Sequence, residues 1–221
     1  MISVGLTGGI ACGKSTVAAI LRRRGYPVLD LDDIARVVVA PGSAALAQIA
    51  ALWPDVVMDG TLDRKALGAI VVADRAARST LESITHPHIW AAMEEWIAVQ
   101  QGDDSLPWAG LPRSIAVMTR PGSPPPAAFI EAALMVETGS YRRYDKLLVV
   151  SCSPSVQRQR LATREGWDNA TVERWLTTQL PLAEKERVAD AIIRNDGEVD
   201  ALDASIDAAL TTLGLPTGVS T

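Results

Sequence analysis

Residues near the amino terminus have the types and the spacing of a phosphate-binding loop. A β-branched, alternating run at residues 2–7 is followed by Gly8, four further residues, and then Gly13, Lys14 and Ser15. In such a loop, successive backbone N–H groups surround an oxyanion, and the helix that begins there adds the positive end of its dipole. The lysine can reach the β and γ phosphates, and the hydroxyl that follows it can hold Mg²⁺.

The flanking segments favour this interpretation over a glycine-rich turn that binds nothing. With average residue usage, a chance match in a chain of 221 residues has a probability of roughly 0.01. The segment before the loop is typical of a strand, and residues 15–24 carry helical apolar spacing. The sequence therefore predicts a phosphate ligand here.

Three aspartates form a second chemical cluster. Asp30 and Asp32 are two residues apart, so they can share one face of a strand. A carboxylate at this place can accept the proton of an acceptor hydroxyl group, or hold Mg²⁺ directly or through water. The alternative is that Asp32 or Asp33 is the N-cap of a helix over residues 34–39. Asp33 suits the cap, and Asp32 suits the catalytic role.

Composition excludes several classes of function. The net charge of −5 argues against a duplex nucleic-acid partner, which usually requires a basic surface. No apolar run is long enough to cross a bilayer, and no signal peptide is evident. The two cysteines, Cys12 and Cys152, have neither metal-ligand spacing nor a disulfide framework, which fits a reducing cytosol. We expect a cytoplasmic protein without nucleic-acid or membrane partners.

Strands and helices alternate along the chain, which predicts an α/β fold with an open parallel sheet covered by helices. Ligands of such folds bind at the carboxyl ends of strands, where the glycine-rich loop lies. The predicted strands span residues 2–7, 27–31, 128–133, 146–150 and 190–194. The predicted helices span residues 14–24, 33–39, 43–53, 63–72, 74–100, 154–165, 169–180 and 198–213.

Two long segments interrupt this alternation. The largely helical stretch between the second and third strands is longer than one crossover needs, so we expect a helical subdomain. Pro41-Gly42 and Asp59-Gly60 mark turns within it. Residues 102–126 are rich in Gly, Pro and Ser and are typical of a long loop, which has room for a short strand over residues 114–119.

Taken in order, these motifs resemble the dephospho-coenzyme A kinase family. The phosphate loop alone is generic, but its combination with the Asp-x-Asp-x-Ile-Ala-Arg segment and a His-Pro segment is specific to that family. The resemblance covers about residues 2–210, interrupted by residues 102–126. The matching segments are 5–16, 28–36, 41–42, 59–64, 85–89, 134–137, 149–154 with Gln157, Arg160 and Arg164, then Gln179 and 189–195.

The resemblance implies a P-loop kinase-like three-layer sandwich. It has a five-stranded parallel sheet, an inserted helical subdomain that binds the acceptor, and a helical lid. The implied boundaries within a single domain are about 1–35 and 127–213 for the core, 36–101 for the acceptor subdomain, 102–126 for the loop, 152–186 for the lid and 214–221 for a disordered tail.

The family transfers the γ-phosphoryl group of ATP to the ribose 3′-hydroxyl group of dephospho-coenzyme A, the last step of coenzyme A synthesis. For this chain the resemblance implies ATP and Mg²⁺ as cofactors and dephospho-coenzyme A as the acceptor, and we expect a monomer. The residues implied in ATP binding are Gly8, Gly9, Ala11, Cys12, Gly13, Lys14, Ser15, Thr16 and Asn195. The residues implied in catalysis are Lys14, Asp32, Arg160 and Arg164. The residues implied in metal binding are Ser15 and Asp32. The residues implied in acceptor binding are Asp32, Arg36, Asp59, Leu62, Arg64, His86 and Glu137.

Some of these roles have structural alternatives. Arg160 and Arg164 are one helical turn apart and share a face. They either neutralise charge on the transferring phosphoryl group or lie on an exposed helix surface. His86 either belongs to the acceptor site or is a structural residue before a helix break at Pro87.

The chain departs from the family pattern at four positions. Ala11 and Cys12 replace the usual Gly-Ser, Leu31 replaces an alanine, and Ala133 replaces a proline. If position 11 needs a positive φ, alanine there costs free energy. Cys12, close to Lys14 at the start of a helix, is either a reactive thiolate or a small buried residue in place of serine.

Three other functions compete with this one. The first is a kinase of the same fold that acts on another nucleotide or nucleoside. The second is a GTPase-like switch, which the sequence disfavours because Asp145-Lys146 lacks the preceding asparagine and no Asp-x-x-Gly follows a strand. The third is a relative that binds nucleotide without transferring phosphate, against which the intact Lys14, Ser15 and Asp32 argue.

Overall fold

The computed structural model describes residues 1–103, 124–197 and 199–218. The chain divides into two compact units, Met1–Leu29 with Thr119–Thr221, and Asp30–Met118. Most of the predicted loop over residues 102–126, with its possible strand over residues 114–119, lies outside the described residues.

A five-stranded parallel sheet forms the centre of the first unit, as predicted. Numbered along the chain, its strands lie in the order β2 (Val28–Asp30), β5 (Ala127–Glu131), β1 (Ile2–Gly8), β6 (Lys146–Ser151) and β7 (Ala191–Arg194). The central strand β1 is parallel to both neighbours, with Leu6 opposite Glu131 on one side and Leu148 on the other.

Burial explains why these segments are strands. Helices cover parallel sheets on both faces, so the central strands are continuous apolar runs without alternation. In β6, the run from Leu147 to Ser151 is buried throughout, and in β1 Val4 and Leu6 are fully buried.

Helices and loops complete the first unit. The helices described are α1 (Lys14–Arg23), α6 (Pro154–Glu165), α7 (Asn169–Leu176), α8 (Leu182–Arg187) and α9 (Val199–Thr212), with a 3₁₀ turn at Ser140–Arg143. The predicted helix over residues 169–180 stops at Leu176, and α8 was not predicted. Helix α9 packs against β7.

The structure differs from the predicted disordered tail at residues 214–218. Gly214, with φ 72°, ends α9, and the N–H of Leu215 donates to the carbonyl of Leu210 at 2.9 Å. The Leu215 side chain is buried, and the Tyr26 hydroxyl donates to the Pro216 carbonyl. Burial raises the pKa of this tyrosine to about 12. The glycine cap therefore turns the chain back onto the core.

The second unit is largely helical. It contains α2 (Leu31–Val37), α3 (Ala44–Leu52), a 3₁₀ turn at Pro54–Val56, β3 (Val57–Met58), β4 (Thr61–Leu62), α4 (Arg64–Ala73) and α5 (Arg75–Gln100). The helices enclose a small apolar core that is separate from the sheet. Its buried members are Val39, Ala45, Ile49, Val56, Leu67 and Ile84.

A two-residue turn joins β3 to β4. Asp59 and Gly60 have φ values of 49° and 72°, and a type I′ turn in a two-residue hairpin requires positive φ at both of these positions. Asp63 follows, and its carboxylate accepts from the N–H groups of Lys65 and Ala66, which caps α4. The predicted turn at Asp59-Gly60 is confirmed as the tip of a hairpin.

Helix α5 runs through Pro87 without a break, which confirms the predicted helix over residues 74–100 and excludes the alternative that His86 precedes a helix break. Proline removes one helical hydrogen bond, but residues on both sides of it, among them Ile84 and Met93, are buried. Tertiary packing therefore outweighs the local defect. None of the helices in the described part of the chain has the length and apolar composition to span a membrane.

Candidate active site

Two glycines of the phosphate loop, residues 8–15, occupy positions that no other residue fits. A Cβ atom on Gly8 would lie 2.2 Å from the carbonyl oxygen of Val150 in β6. Gly13 has φ 89°, and a Cβ atom there would lie 2.3 Å from Nδ2 of Asn195. Gly8 therefore lets the loop leave β1 close against β6, and Gly13 lets α1 begin directly after the loop.

Between these glycines the chain turns tightly. The N–H of Cys12 donates to the carbonyl of Gly9 at 3.2 Å. Ala11 has φ 59°, in the left-handed region. Position 11 therefore does need a positive φ, and alanine there costs free energy. The departure from glycine at position 11 is therefore a strained one.

Side chains distant in sequence hold the loop. Both polar groups of the Ile10 backbone are bound by glutamines, since its N–H donates to Gln179 at 3.0 Å and its carbonyl accepts from Gln157 at 2.8 Å. The Asn195 amide donates to the Cys12 carbonyl at 2.8 Å. The loop conformation is thus fixed by the segments that follow β6 and β7.

The two cysteines lie in contact. Cys12 and Cys152 are both buried, and the Cys152 thiol donates to the Cys12 sulfur at 3.3 Å. This hydrogen bond lowers the pKa of Cys12, whereas the contact and burial raise the pKa of Cys152. Because Cys12 has no exposed surface, the structure supports the second alternative, a small buried residue in place of serine.

A cleft of about 650 Å³ opens at the amino end of α1, and we call it the phosphate cleft. Lys14, Ser15 and Thr16 form the first turn of α1 and line the cleft, where Ser15 and Thr16 are exposed and Lys14 is half-buried. No side chain caps this helix end. The backbone N–H groups of the turn and the helix dipole make such a place favourable for an anion.

Helix α6 adds two arginines to the phosphate cleft. Arg160 and Arg164 both line it. Arg160 is half-buried and donates to the carbonyl of Ala11 at 3.5 Å and to Oδ1 of Asn195 at 3.3 Å. Arg160 therefore contacts the phosphate loop and Arg164 lines the same cleft, so the face that they share is not only an exposed helix surface.

Glu131 lines the same cleft and was missed by the sequence analysis. It is the last residue of β5 and is 9% exposed. The available signal was its position, since acidic residues at the carboxyl ends of strands beside a phosphate loop are candidates for a ligand site. Asp196 also lines the cleft, and the hydrogen bond from the N–H of Ser153 lowers the pKa of its carboxyl group.

The aspartate cluster lies at the start of a helix, and its N-cap is neither Asp32 nor Asp33. The N-cap of α2 is Asp30, whose carboxylate accepts from the N–H of Asp32 at 2.8 Å. Asp32 and Asp33 therefore lie in the first turn of a helix, so the prediction that Asp30 and Asp32 share a strand face is wrong. Asp32 is exposed, whereas Asp33 accepts a hydrogen bond from Arg36 at 2.9 Å.

The remaining residues predicted to bind the acceptor lie in the second unit, apart from Glu137. The Arg64 guanidinium donates to the carbonyl of Arg36 at 2.9 Å, so these two residues are adjacent. Leu62 is in β4, and Asp59 is at the hairpin tip. His86 is exposed on α5 and contacts the edge of Trp90, with ring centroids 5.9 Å apart.

Glu137 lies in the first unit and is bound within the protein. Its Oε1 atom accepts from Nζ of Lys185 at 2.7 Å and from the N–H of Leu180 at 3.1 Å. Lys185 has no exposed side-chain surface, and the sequence analysis did not identify it. These contacts show what holds Glu137 in place.

The phosphate cleft suits Mg²⁺ that binds together with a nucleotide. Within the described residues, no group of three or more His, Cys, Asp or Glu is placed to hold a metal ion. Mg²⁺ in nucleotide sites usually takes one or two protein oxygens and completes its shell with phosphate oxygens and water. Ser15 is exposed at the cleft, and its hydroxyl is an oxygen of this kind.

Comparison with known proteins matches nearly the whole chain. The dephospho-CoA kinase family model matches residues 2–107 and 116–201. The dephospho-CoA kinase of Anaeromyxobacter dehalogenans is 42% identical over 214 residues, which are 95% of this chain and 91% of that protein. The enzyme of the same name from Geobacter sulfurreducens is 37% identical over 206 residues, 92% of this chain and 94% of that protein.

A solved structure has the same fold as this chain. The crystal structure of TT1252 from Thermus thermophilus is 30% identical and superimposes with a TM-score of 0.74, covering 96% of this chain and 97% of that one. The family match includes the phosphate loop, the aspartate cluster and both arginines of α6. The chain therefore belongs to the dephospho-CoA kinase family of phosphotransferases.

Proposed function

We propose that this protein transfers the γ-phosphoryl group of ATP, bound with Mg²⁺, to the ribose 3′-hydroxyl group of dephospho-coenzyme A. The observation that carries the proposal is the phosphate cleft, where the amino end of α1, Lys14, Arg160 and Arg164 meet in one place. That arrangement stabilises the negative charge of a transferring phosphoryl group.

The positive groups of the cleft have separate tasks. The N–H groups of the phosphate loop and Lys14 hold the β and γ phosphates. Arg160 is fixed by Asn195, so its guanidinium group is oriented before the nucleotide arrives. Arg164 lies one turn further along α6 and lines the same cleft, where its charge can neutralise the transferring phosphoryl group. Such preorganised charges account for much of the rate in phosphoryl transfer.

Mg²⁺ supplies charge neutralisation for the β and γ phosphate oxygens when it is bound. Ser15 is the proposed protein ligand in the phosphate cleft. Glu131, which the sequence analysis did not include, adds a carboxylate to that cleft. A hydroxyl and a carboxylate are both oxygen ligands of the kind that Mg²⁺ prefers.

Asp32 is the proposed general base. Its carboxylate is exposed in the first turn of α2, where it can accept the proton of the acceptor hydroxyl group. Asp33 is less suited to this role because its carboxylate is engaged by Arg36. The predicted use of Asp32 as a metal ligand remains a second role for the same side chain.

The acceptor is assigned to the second unit. Arg36 and Arg64 are adjacent and are the proposed source of positive charge for a diphosphate-containing acceptor. Asp59, Leu62 and His86 remain predicted members of that site. Glu137 is better explained as a positioning residue, because Lys185 and a backbone N–H group occupy one of its oxygens. A monomeric state and a cytoplasmic location remain predictions.

The direct test is an acceptor panel with the purified chain. Dephospho-coenzyme A, AMP, adenosine and shikimate are each incubated with Mg·ATP, and ADP formation is measured. We expect dephospho-coenzyme A to raise ADP formation far above the water background, and ³¹P NMR to show a new 3′-phosphate monoester. ADP formation equal to the background, or a faster reaction with another acceptor, would contradict the proposal.

A further inference from the structure

Lys185 is a fully buried lysine that contacts the first glycine of the phosphate loop. Its Nζ atom lies 2.7 Å from Oε1 of Glu137, 3.0 Å from the carbonyl oxygen of Ala133 and 3.4 Å from the carbonyl oxygen of Gly8. Burying a charge is unfavourable unless it is paired and hydrogen-bonded. Here each of the three ammonium N–H donors has an oxygen nearby.

These contacts join three separate stretches of the chain. Gly8 ends β1, Ala133 and Glu137 follow β5, and Lys185 belongs to α8. The hydroxyl of Thr7 also donates to the Ala133 carbonyl, at 3.1 Å. The buried ammonium group thus lies where the sheet, the segment after β5 and α8 converge.

Stability alone does not explain a charge at this place. A buried ion pair can usually be replaced by apolar side chains of similar volume at no loss of stability, or with a gain. This pair is also incompletely satisfied, since Oε2 of Glu137 is buried and has no hydrogen-bond partner among the described residues. A geometric role for the Lys185 ammonium group is the better explanation.

The contact with Gly8 reaches the ligand through one rigid peptide group. A peptide bond is planar and trans, so holding the carbonyl of Gly8 fixes the direction of the N–H of Gly9 at the other end of the same peptide. Gly9 lines the phosphate cleft. We propose that Lys185 is a positioning residue that orients the first peptide of the phosphate loop for nucleotide binding, an inference that rests on the proposed kinase function.

The test separates geometry from stability with two variants. In Lys185→Met the positioning contacts are lost and the Glu137 carboxylate is left without its cationic partner. In the double variant Lys185→Met/Glu137→Met the stranded charge is also removed. We expect kcat/KM for ATP to fall by about 10- to 100-fold in both variants, the size of effect that small displacements of catalytic groups produce. Only the double variant should recover the thermal unfolding temperature of the parent.

Lys146→Met is the matched control. Lys146 also pairs with a carboxylate, that of Asp190 at 3.3 Å, but it is half-exposed at the start of β6 and does not contact the loop. We expect parental kinetics from this variant. The nucleotide dissociation constant is measured by calorimetry with ADP in all four proteins, because this readout does not depend on the acceptor.

The outcomes distinguish the two proposals. Parental ADP affinity and parental kcat/KM in a folded double variant would overturn the role of Lys185, as would a loss confined to the unfolding temperature. If Lys185→Met does not fold, the double variant decides alone. If the parent lacks turnover with dephospho-coenzyme A, the proposed function fails, while the ADP affinities still test Lys185.

Discussion

Replacing Ala11 by glycine should stabilise the protein. Ala11 has φ 59°, a left-handed conformation that costs an L-residue about 1–2 kcal/mol and costs glycine nothing. Glycine in turn loses about 0.4–1 kcal/mol, because the unfolded chain gains conformational freedom. The difference between the midpoints of these two ranges predicts a gain of about 0.8 kcal/mol in the free energy of unfolding.

The assay is thermal and urea unfolding of Ala11→Gly beside a matched control. Ala204 is exposed within α9 of the same unit, so Ala204→Gly removes the same methyl group where φ is helical. Its expected effect has the opposite sign, a loss of about 1 kcal/mol. For a chain of this size, the gain at position 11 corresponds to a rise of about 1–4 °C in the unfolding temperature.

The comparison of signs makes the result decisive. If Ala11→Gly loses as much stability as Ala204→Gly, position 11 does not adopt a positive φ in solution, and the explanation of the family's usual glycine by backbone strain is refuted. A gain in stability with unchanged ATP affinity is the expected result, because the loop contacts of Ala11 are made by its backbone carbonyl.

Four further experiments test the site. Lys14→Ala should lower turnover by about 10²–10³-fold in a folded protein, since no neighbouring group replaces its charge, and parental turnover would refute the phosphate-loop assignment. Asp32→Asn should lower turnover by about 10²–10⁴-fold with little change in ATP affinity, and a larger loss in Asp33→Asn would show that the base is misassigned. Amide exchange across residues 152–186 should slow when nucleotide and acceptor are both bound, and equal rates would argue against a lid. Iodoacetamide should inactivate the parent no faster than Cys12→Ser, because the Cys12 thiol is fully buried.

The strands of the sheet were predictable because strands that are buried on both faces appear in the sequence as continuous apolar runs. Residues 146–150 form a short, mostly apolar run, and the structure extends that strand by one residue to Ser151. Strand order and register were not predictable from such runs. They depend on pairing between segments more than a hundred residues apart, such as Ile2 with Ala127.

Helix α8 shows where periodicity fails. Its six residues make fewer than two turns, and Lys185 occupies a fully buried position where the apolar pattern would require a hydrophobic residue. The charge is satisfied by oxygens of Gly8, Ala133 and Glu137, which the fold alone brings together. Because the buried residue is a lysine, the apolar pattern predicts neither helix α8 nor the contact of Lys185 with the phosphate loop.

The start of α2 was misplaced for a related reason. Asp30, Asp32 and Asp33 are all good N-cap residues, and local preference does not choose among them. The choice depends on where β2 ends, which sheet pairing determines through contacts such as the N–H of Phe129 with the carbonyl of Pro27 at 2.9 Å. Asp30 is the residue at that end, and its capping places Asp32 one residue into the helix.

Cys12 shows how the fold changes the chemistry that a local sequence suggests. A thiol beside Lys14 at a helix start predicts a reactive thiolate, because the nearby positive charge and the helix dipole stabilise the anion. The fold places Cys152, 140 positions away, in contact with it and buries both sulfur atoms. The hydrogen bond from Cys152 still lowers the pKa of Cys12, but an alkylating reagent cannot reach a thiol without exposed surface. Reactivity at this position is therefore determined by packing between the segments that follow β1 and β6. The charge of the neighbouring residues is not sufficient to predict it.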